Sequence, residues 1–217
     1  MMLAYTKFEV LRTVHNIRYL VFIVLMPVVF ELTWGKQGLG VTAAMAVYAA
    51  TGAGLMGSGS AIAEDRNTGW LRQLRVTPLS NEAWLIGKIV QGVLTVIPGV
   101  LAVSVIGALT AHADRWPMLV AVTVAGSLPF VLIGVFAGML FKGKTAIVAL
   151  MITFFALMFI GGVIGGETLW SLVPTHSLTT LGIDVLNSQP IGVESVVNLG
   201  AWTVAAAVAV LLRWRRA

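Results

Sequence analysis

Cysteine is absent from this chain of 217 residues, and histidine is scarce. Without cysteine the chain can form neither disulfides nor thiolate metal sites, and thiol catalysis and palmitoylation are excluded as well. The three histidines, His15, His112 and His176, lie on separate segments, so they do not indicate a histidine metal site. We therefore expect this chain to bind no metal.

Charged side chains are also scarce. They make up 11% of the residues, against about 25% in an ordinary soluble domain, whereas hydrophobic residues make up 58%. This composition predicts an integral membrane protein. The formal net charge of +5 could suggest nucleic acid as a partner, but the basic residues stand in small groups at the ends of apolar runs. Such groups are typical of membrane topology signals, so we expect no nucleic-acid binding.

Six segments are long and apolar enough to cross a bilayer, whose core of about 30 Å needs roughly 20 residues of helix. They cover approximately residues 19–39, 41–63, 84–109, 118–141, 145–164 and 195–212. This pattern predicts an all-α integral membrane fold, with six transmembrane helices in a single domain over residues 1–217. Before the first span, residues 1–18 place apolar side chains at helical spacing, which predicts an amphipathic helix on the membrane surface.

The basic residues predict the orientation of these helices. Of the 14 Lys and Arg residues, all except Lys36 and Arg115 fall on one side of the membrane in this arrangement. The positive-inside rule makes that side cytoplasmic, with both termini on it. The connection at residues 165–194 is then external. It contains many apolar residues and no Lys or Arg, so we expect it to fold back against the membrane.

Charged residues are concentrated in the segment at residues 64–82, which lies between two long apolar stretches. A short helix here would carry an apolar face and a basic face. The apolar face would consist of Trp70, Leu71 and Leu74, and the basic face of Arg72 and Arg75. Pro78 would end this helix, and Ser80 is a suitable N-cap for the next one. A motor protein could push against such a helix; alternatively, the segment is a solvated loop whose arginines only fix the topology.

The order of residues in this loop resembles the first cytoplasmic loop of type 2 ABC exporter permeases. The shared pattern is acid-x-Arg-x-x-Gly-x-Leu-x-x-Leu-x-x-Thr-Pro-x-Ser, followed by Gly87-Lys88. The resemblance extends to the surface helix, the six-span layout and the apolar external connection. It implies that the helix in the loop docks into a groove on a separate ATPase. The residues implied in this ATPase coupling are Glu64, Arg66, Gly69, Leu71, Arg72, Leu74, Arg75, Thr77, Pro78 and Ser80.

The resemblance is closest to the small drug or antibiotic exporter permeases of bacteria, and it implies a function. The chain would be the permease subunit of an ATP-driven exporter in the bacterial plasma (inner) membrane. It would move an apolar or amphipathic substrate, such as a drug, an antibiotic, a peptide or a lipid-like molecule. Two copies of the ATPase and a second permease chain, identical or a sister, would complete the complex. ATP and Mg would bind to the ATPase, so this chain would hold no cofactor and would not be an enzyme.

One motif points the other way. Residues 138–145 satisfy the P-loop expression G-x-x-x-x-G-K-[ST]. A working P-loop follows a strand and opens a helix in a soluble α/β domain, whereas Gly138 falls in the end of a predicted membrane helix. We therefore interpret Lys142 and Lys144 as anchors at the membrane surface and expect no ATP binding here.

Two features could belong to a substrate path. Glu31 is the only acid well inside an apolar run, and ionisable groups within membranes are functional candidates. Alternatively, Glu31 simply reaches the interface marked by Trp34 and Lys36. The fifth span carries flexible, polarisable side chains that suit varied apolar ligands, although lipid contact or core packing is the more common reason for such side chains. The residues considered for the path are Glu31, Met151, Phe155 and Met158.

Two other classes of function remain open. An ion-coupled secondary carrier would require several intramembrane acids or broken helices in related halves, and Glu31 alone fits that pattern. A membrane anchor or assembly protein that transports nothing is the other alternative. Identification of the proteins that purify with the native chain would separate these classes from an ATP-driven permease.

Overall fold

The computed structural model describes residues 21–69, 81–165 and 168–215, and this part of the chain is built from helices without any strand. A π-helical turn, Val21–Leu25, leads into α1, Met26–Trp34, and a 3-10 turn, Gly35–Gln37, follows it. The helices after it are α2 (Leu39–Asn67), α3 (Asn81–Thr110), α4 (Trp116–Gly126), α5 (Leu128–Leu140), α6 (Gly143–Ile160), α7 (Pro174–Leu186) and α8 (Val193–Trp214). The predicted all-α fold is confirmed. The surface helix predicted at residues 1–18 lies outside the described residues.

Five helical stretches in the described residues are long and apolar enough to cross a membrane, so the chain is a multi-pass membrane protein. They are Leu39–Asn67, Glu82–Thr110, Trp116–Leu140, Gly143–Ile160 and Val193–Trp214. The first predicted span, residues 19–39, is described only from residue 21, and its helical course ends at Gln37. Gly38 then has φ of 142°, a value that L-residues rarely adopt, and this residue turns the chain into α2. The number of six spans remains a prediction.

Helix α2 lies at the centre of the bundle because most of its side chains are small. It packs against α3, α5, α6 and α7. Its buried residues include Ala43, Ala46, Ala49, Ala50, Ala53, Gly52, Gly54, Gly57 and Gly59. Small residues let the backbones of membrane helices approach closely, so that van der Waals contact can hold them together. With its contacts to α1 and α4, this one helix touches six others.

The approach between α2 and α5 is the closest example. A Cβ atom at Gly134 would lie 2.5 Å from the carbonyl oxygen of Leu55, and one at Gly138 would lie 2.5 Å from that of Gly59. Real Cβ atoms do not come so near to backbone oxygens, because this distance is well inside van der Waals contact. The two glycines, four residues apart, thus form the face of α5 that meets α2.

The predicted fourth span, residues 118–141, consists of two helices that meet at Ser127. Pro129 stands at the start of α5. Because proline has no backbone N–H, it cannot donate the hydrogen bond that would continue the helix from α4. The Ser127 hydroxyl donates to the carbonyl oxygen of Val124 at 2.7 Å and satisfies one group at the break.

The connection at residues 165–194 contains α7, which packs on α2, α4 and α8. Leu178, Leu181 and Val185 are buried on one face of this helix. The Thr175 hydroxyl donates to the carbonyl oxygen of Leu157 at 2.8 Å and joins α7 to the end of α6. Helix α7 therefore lies at the end of the bundle that carries Lys36. We call this end the Lys36 end, and we call the opposite end, where α2 finishes, the Arg66 end.

Candidate functional site at the Arg66 end

The ten residues predicted to couple the chain to an ATPase fall on two sides of a gap. Glu64 and Arg66 lie in the last turn of α2, and Gly69, with φ of 73°, lies in the turn after it. The other seven lie outside the described residues; they are Leu71, Arg72, Leu74, Arg75, Thr77, Pro78 and Ser80. The structure thus describes the two helices, α2 and α3, to which the predicted loop is attached.

A buried ion pair joins these two helices. Lys88 Nζ lies 2.7 Å from Asp65 Oδ2, and both side chains are essentially inaccessible to solvent, at 0% and 1% exposure. Lys88 belongs to the second turn of α3, and Asp65 belongs to the last turn of α2. The end of α2 and the start of α3, to which the loop is attached, are therefore joined by opposite charges in an environment with little water, where attraction between charges is strong.

Arg66 ties the end of α2 to the end of α5. Its Nη1 donates to the carbonyl oxygens of Gly138, at 3.1 Å, of Met139, and of Phe141, at 3.5 Å. The last carbonyl groups of a helix have no partner within the helix and carry partial negative charge. A guanidinium group, with several N–H donors in a fixed plane, suits this position.

The P-loop-like motif lies at this same contact, and its geometry differs from that of a nucleotide site. Gly138 belongs to helix α5 rather than to a loop after a strand, and α6 begins at Gly143. The backbone groups that face Arg66 are carbonyl oxygens, whereas a phosphate needs N–H donors. The contact with Arg66 gives this segment a structural role in joining two helices.

Two tryptophans close the Arg66 end on its other side. The rings of Trp84, on α3, and Trp214, at the end of α8, are stacked with centroids 6.1 Å apart and an angle of 16° between their planes. Trp84 is buried at 5% exposure. Offset stacking of aromatic rings adds to the stabilisation from burial. The start of α3 is thus fixed to α8 as well as to α2.

The four residues considered for a substrate path are not brought together. Glu31 lies between α1, α2 and α3, where its Oε1 accepts a hydrogen bond from the Thr42 hydroxyl at 2.6 Å. The other three residues are on α6, which packs against α2, α5 and α7. Met158 is fully buried, whereas Met151 and Phe155 are exposed on the outer face of α6, at 38% and 40%.

A cleft of about 680 Å³ at the Lys36 end was not foreseen. It lies between α1, the start of α2, the turn after α6, and α7. Its apolar wall includes Phe30, Trp34 and Met45, and its polar edge includes His176 and Thr179. Its volume falls in the range of about 300–1,000 Å³ that is usual for sites of small molecules. No sequence pattern predicts it, because one wall comes from α1 and the start of α2, whereas the other comes from α7 and the turn after α6, which lie far away along the chain.

The ion pair between Asp65 and Lys88 was also not foreseen as a unit. The sequence signal was present, since an acid and a lysine flank the charged loop in otherwise apolar surroundings. However, Glu64 and Asp65 are adjacent acids, and only the packing decides which of them faces α3. Glu64 is exposed, whereas Asp65 is buried.

Comparison with known proteins places this architecture in a family. Residues 35–214 match the family model described as "ABC-2 family transporter protein". The chain is also similar to the protein named "Putative transport permease YvfS" of Bacillus subtilis (strain 168), at 25% identity. That similarity covers 64% of this chain and 62% of the relative, so the chain spans about three-fifths of the relative's length. Because the family model covers most of the chain and both ends of α2, this protein belongs to the ABC-2 family of transporter proteins.

Proposed function

We propose that the chain is the permease subunit of an ATP-driven exporter in a bacterial plasma membrane. It would move an apolar or amphipathic substrate out of the cytoplasm or the inner leaflet of the membrane. The observation that carries this proposal is the family match over residues 35–214, which includes the charged loop and both helices that hold it. A separate ATPase, in two copies, would supply the energy, and a second permease chain would complete the path.

The geometry of the Arg66 end supports this assignment. A docking loop must be attached to the bundle firmly, because a force applied to a loose attachment would be dissipated. The ion pair between Asp65 and Lys88, the contacts of Arg66 with α5, and the stack of Trp84 on Trp214 all hold this end. With the basic residues on the cytoplasmic side, the Arg66 end faces the ATPase.

The cleft at the Lys36 end supports a substrate that is partly apolar. Its walls combine aromatic and thioether side chains with a few hydroxyl groups and one imidazole, and the Thr168 hydroxyl lies 3.1 Å from His176 Nδ1. Apolar pockets with few polar groups are typical of sites for amphipathic small molecules. In the proposed orientation this cleft lies at the outer end of the bundle, where an exporter releases its substrate.

A change in the loop tests the proposal. In Leu71→Asp/Leu74→Asp, unpaired charges would enter an apolar contact with the ATPase, which costs several kcal/mol. The spans and their flanking charges are unchanged, so the variant should accumulate normally in the membrane. Affinity purification of the full chain should recover the ATPase with the wild type and lose it with the variant. Conservative Leu71→Met/Leu74→Met is the matched control and should retain it.

Two results would contradict the proposal. The first is purification of the wild-type chain without any ATPase, under conditions that keep membrane complexes intact. The second is recovery of equal amounts of ATPase with the Asp variant and with the wild type, which would show that this loop is not the docking element.

A further inference from the structure

The buried ion pair at the base of the loop is more than helix packing requires. Removal of two opposite charges from water is costly, and their attraction repays that cost only with good geometry. Elsewhere, α2 meets its neighbours mainly through small side chains, with a few hydrogen bonds but no second buried pair of opposite charges among the described residues. A pair of apolar side chains would therefore hold α2 to α3 at least as well. The presence of charges points to a role other than stability.

The position of the pair suggests that role. Asp65 stands two residues before the end of α2, and Lys88 stands seven residues after the start of α3. The segment between them contains the predicted docking loop from Arg66 onward. A displacement of this loop consequently reaches both helices at the level of the pair, before it reaches the small-residue contacts farther along α2.

The two helices lead to the opposite end of the bundle. At about 1.5 Å per residue, helices of this length extend over roughly 40 Å, which exceeds the 30 Å core of a bilayer. Helix α2 begins beside the cleft at the Lys36 end, where Gly40, Val41 and Met45 line it. Helix α3 ends at Thr110, whose hydroxyl lies 3.4 Å from Glu31 Oε1. A movement shared by α2 and α3 would therefore be felt at both places.

We propose that Asp65 and Lys88 are positioning residues that make α2 and α3 respond as one body to the nucleotide state of the ATPase. This inference rests on the proposed function. The ion pair transmits the movement of the loop to the far ends of the two helices. The pair keeps the two helices in register because its two charged groups meet at only one relative position of α2 and α3. An apolar contact would let one helix slide past the other.

The test uses the full chain in its complex with the ATPase that purifies with it. Since the chain contains no cysteine, a single cysteine at Asp114, an exposed position after α3, can carry an environment-sensitive fluorophore. The change in emission on addition of ATP and vanadate reports how α3 responds far from the loop. ATPase content and thermal stability of each complex are measured on the same samples.

The central variant is Asp65→Leu/Lys88→Met, which replaces the charged pair by apolar side chains of similar volume. We expect it to fold and to bind the ATPase as the wild type does, because such replacements are often neutral or stabilising. Its nucleotide-dependent change in emission should be largely lost, because α3 would no longer follow the displacement of the loop. The exchanged pair, Asp65→Lys/Lys88→Asp, should restore most of the response.

Thr95→Val is the matched control. Thr95 is buried on α3, but its hydroxyl donates only within its own helix, to the carbonyl oxygen of Gly92 at 2.8 Å. The control removes a buried polar group without affecting the contact between α2 and α3, so its response should equal that of the wild type.

Each other outcome opposes the proposal. A full response in Asp65→Leu/Lys88→Met would show that the pair transmits nothing. Failure of that variant to assemble would show that the pair serves folding instead of coupling. By contrast, loss of the ATPase or of the nucleotide response in the unaltered chain would contradict the proposed function itself, before the pair is tested.

Discussion

Replacement of Gly138 by alanine should weaken the contact between α2 and α5. A Cβ atom there would lie 2.5 Å from the carbonyl oxygen of Gly59 and 3.0 Å from Ile62 Cβ. The helices must move apart by about 0.9 Å to reach ordinary contact, and α2 is confined on its other sides by α3, α6 and α7, among others. Overpacking of this kind costs about 1–3 kcal/mol.

Gly200→Ala provides the matched control on α8. A Cβ atom at Gly200 would meet nothing within 4 Å. The change should therefore be neutral or should stabilise the helix by about 0.5–1 kcal/mol, since alanine loses less backbone freedom than glycine. The same gain in helix propensity applies at Gly138, so the difference between the two variants isolates the cost of the steric contact.

The measurement is the thermal midpoint of the purified chain in detergent. It is the temperature at which half of the chain no longer remains monodisperse after heating. Gly138→Ala should lower the midpoint, whereas Gly200→Ala should leave it unchanged or raise it. Equal midpoints for the two variants would refute the reasoning, because they would show that α2 and α5 are not in the close contact described.

Two further predictions concern the ends of the bundle. Single cysteines at Gly143 and Asn187 should differ in labelling by an impermeant thiol reagent in intact cells, with only the cysteine at position 187 reactive; the reverse result would invert the proposed orientation. Lys144→Ala should leave ATP hydrolysis by the purified complex nearly unchanged, because the motif that contains Lys144 is formed by two helices; a large loss of hydrolysis would show that the motif binds nucleotide.

The apolar runs predicted the helices of the described region well, because length and hydropathy are local properties. The breaks were less predictable. Ser127 divides the fourth predicted span, and Pro129 was the only local signal for this break. The helix within the connection at residues 165–194 was also not predicted as such. Its buried face, with Leu178 and Leu181, is shaped by contact with α2 and α8 and not by its own length.

The candidate site shows the same limit more clearly. The charged loop could be found from the sequence, since a run of charge between apolar stretches is conspicuous. Which charges pair could not be found, because Asp65 and Lys88 are separated by the entire loop and meet only through the crossing of α2 and α3. The prediction from the sequence named Glu64, one residue away, as a functional acid. A helix turns by about 100° per residue, which is enough to place one acid on an exposed face and the next on a buried face.

The burial of Glu31 depends on glycine residues that leave space for its carboxyl group. We considered that its side chain simply reaches the interface, yet it is fully buried. Space for the carboxyl group exists because Gly35 and Gly107 lack side chains: a Cβ atom at either residue would lie within 3.2 Å of Glu31 Oε1. The spacing of glycines on two different helices cannot be interpreted before the helices are placed.

These two acids give α2 and α3 polar connections at opposite ends of the bundle. At the Arg66 end, Asp65 binds Lys88 directly. At the Lys36 end, Glu31 Oε1 accepts from Thr42 on α2 at 2.6 Å and lies 3.4 Å from the Thr110 hydroxyl on α3. The Thr110 hydroxyl, which has a single proton to donate, also lies 3.0 Å from the carbonyl oxygen of Ile106, so this second connection is weaker than the ion pair.

Between the two ends the contact consists mainly of small apolar side chains, which resist separation but allow sliding. A relative movement of α2 and α3 would therefore break the Glu31 connection more easily than the ion pair, and the Lys36 end should yield first.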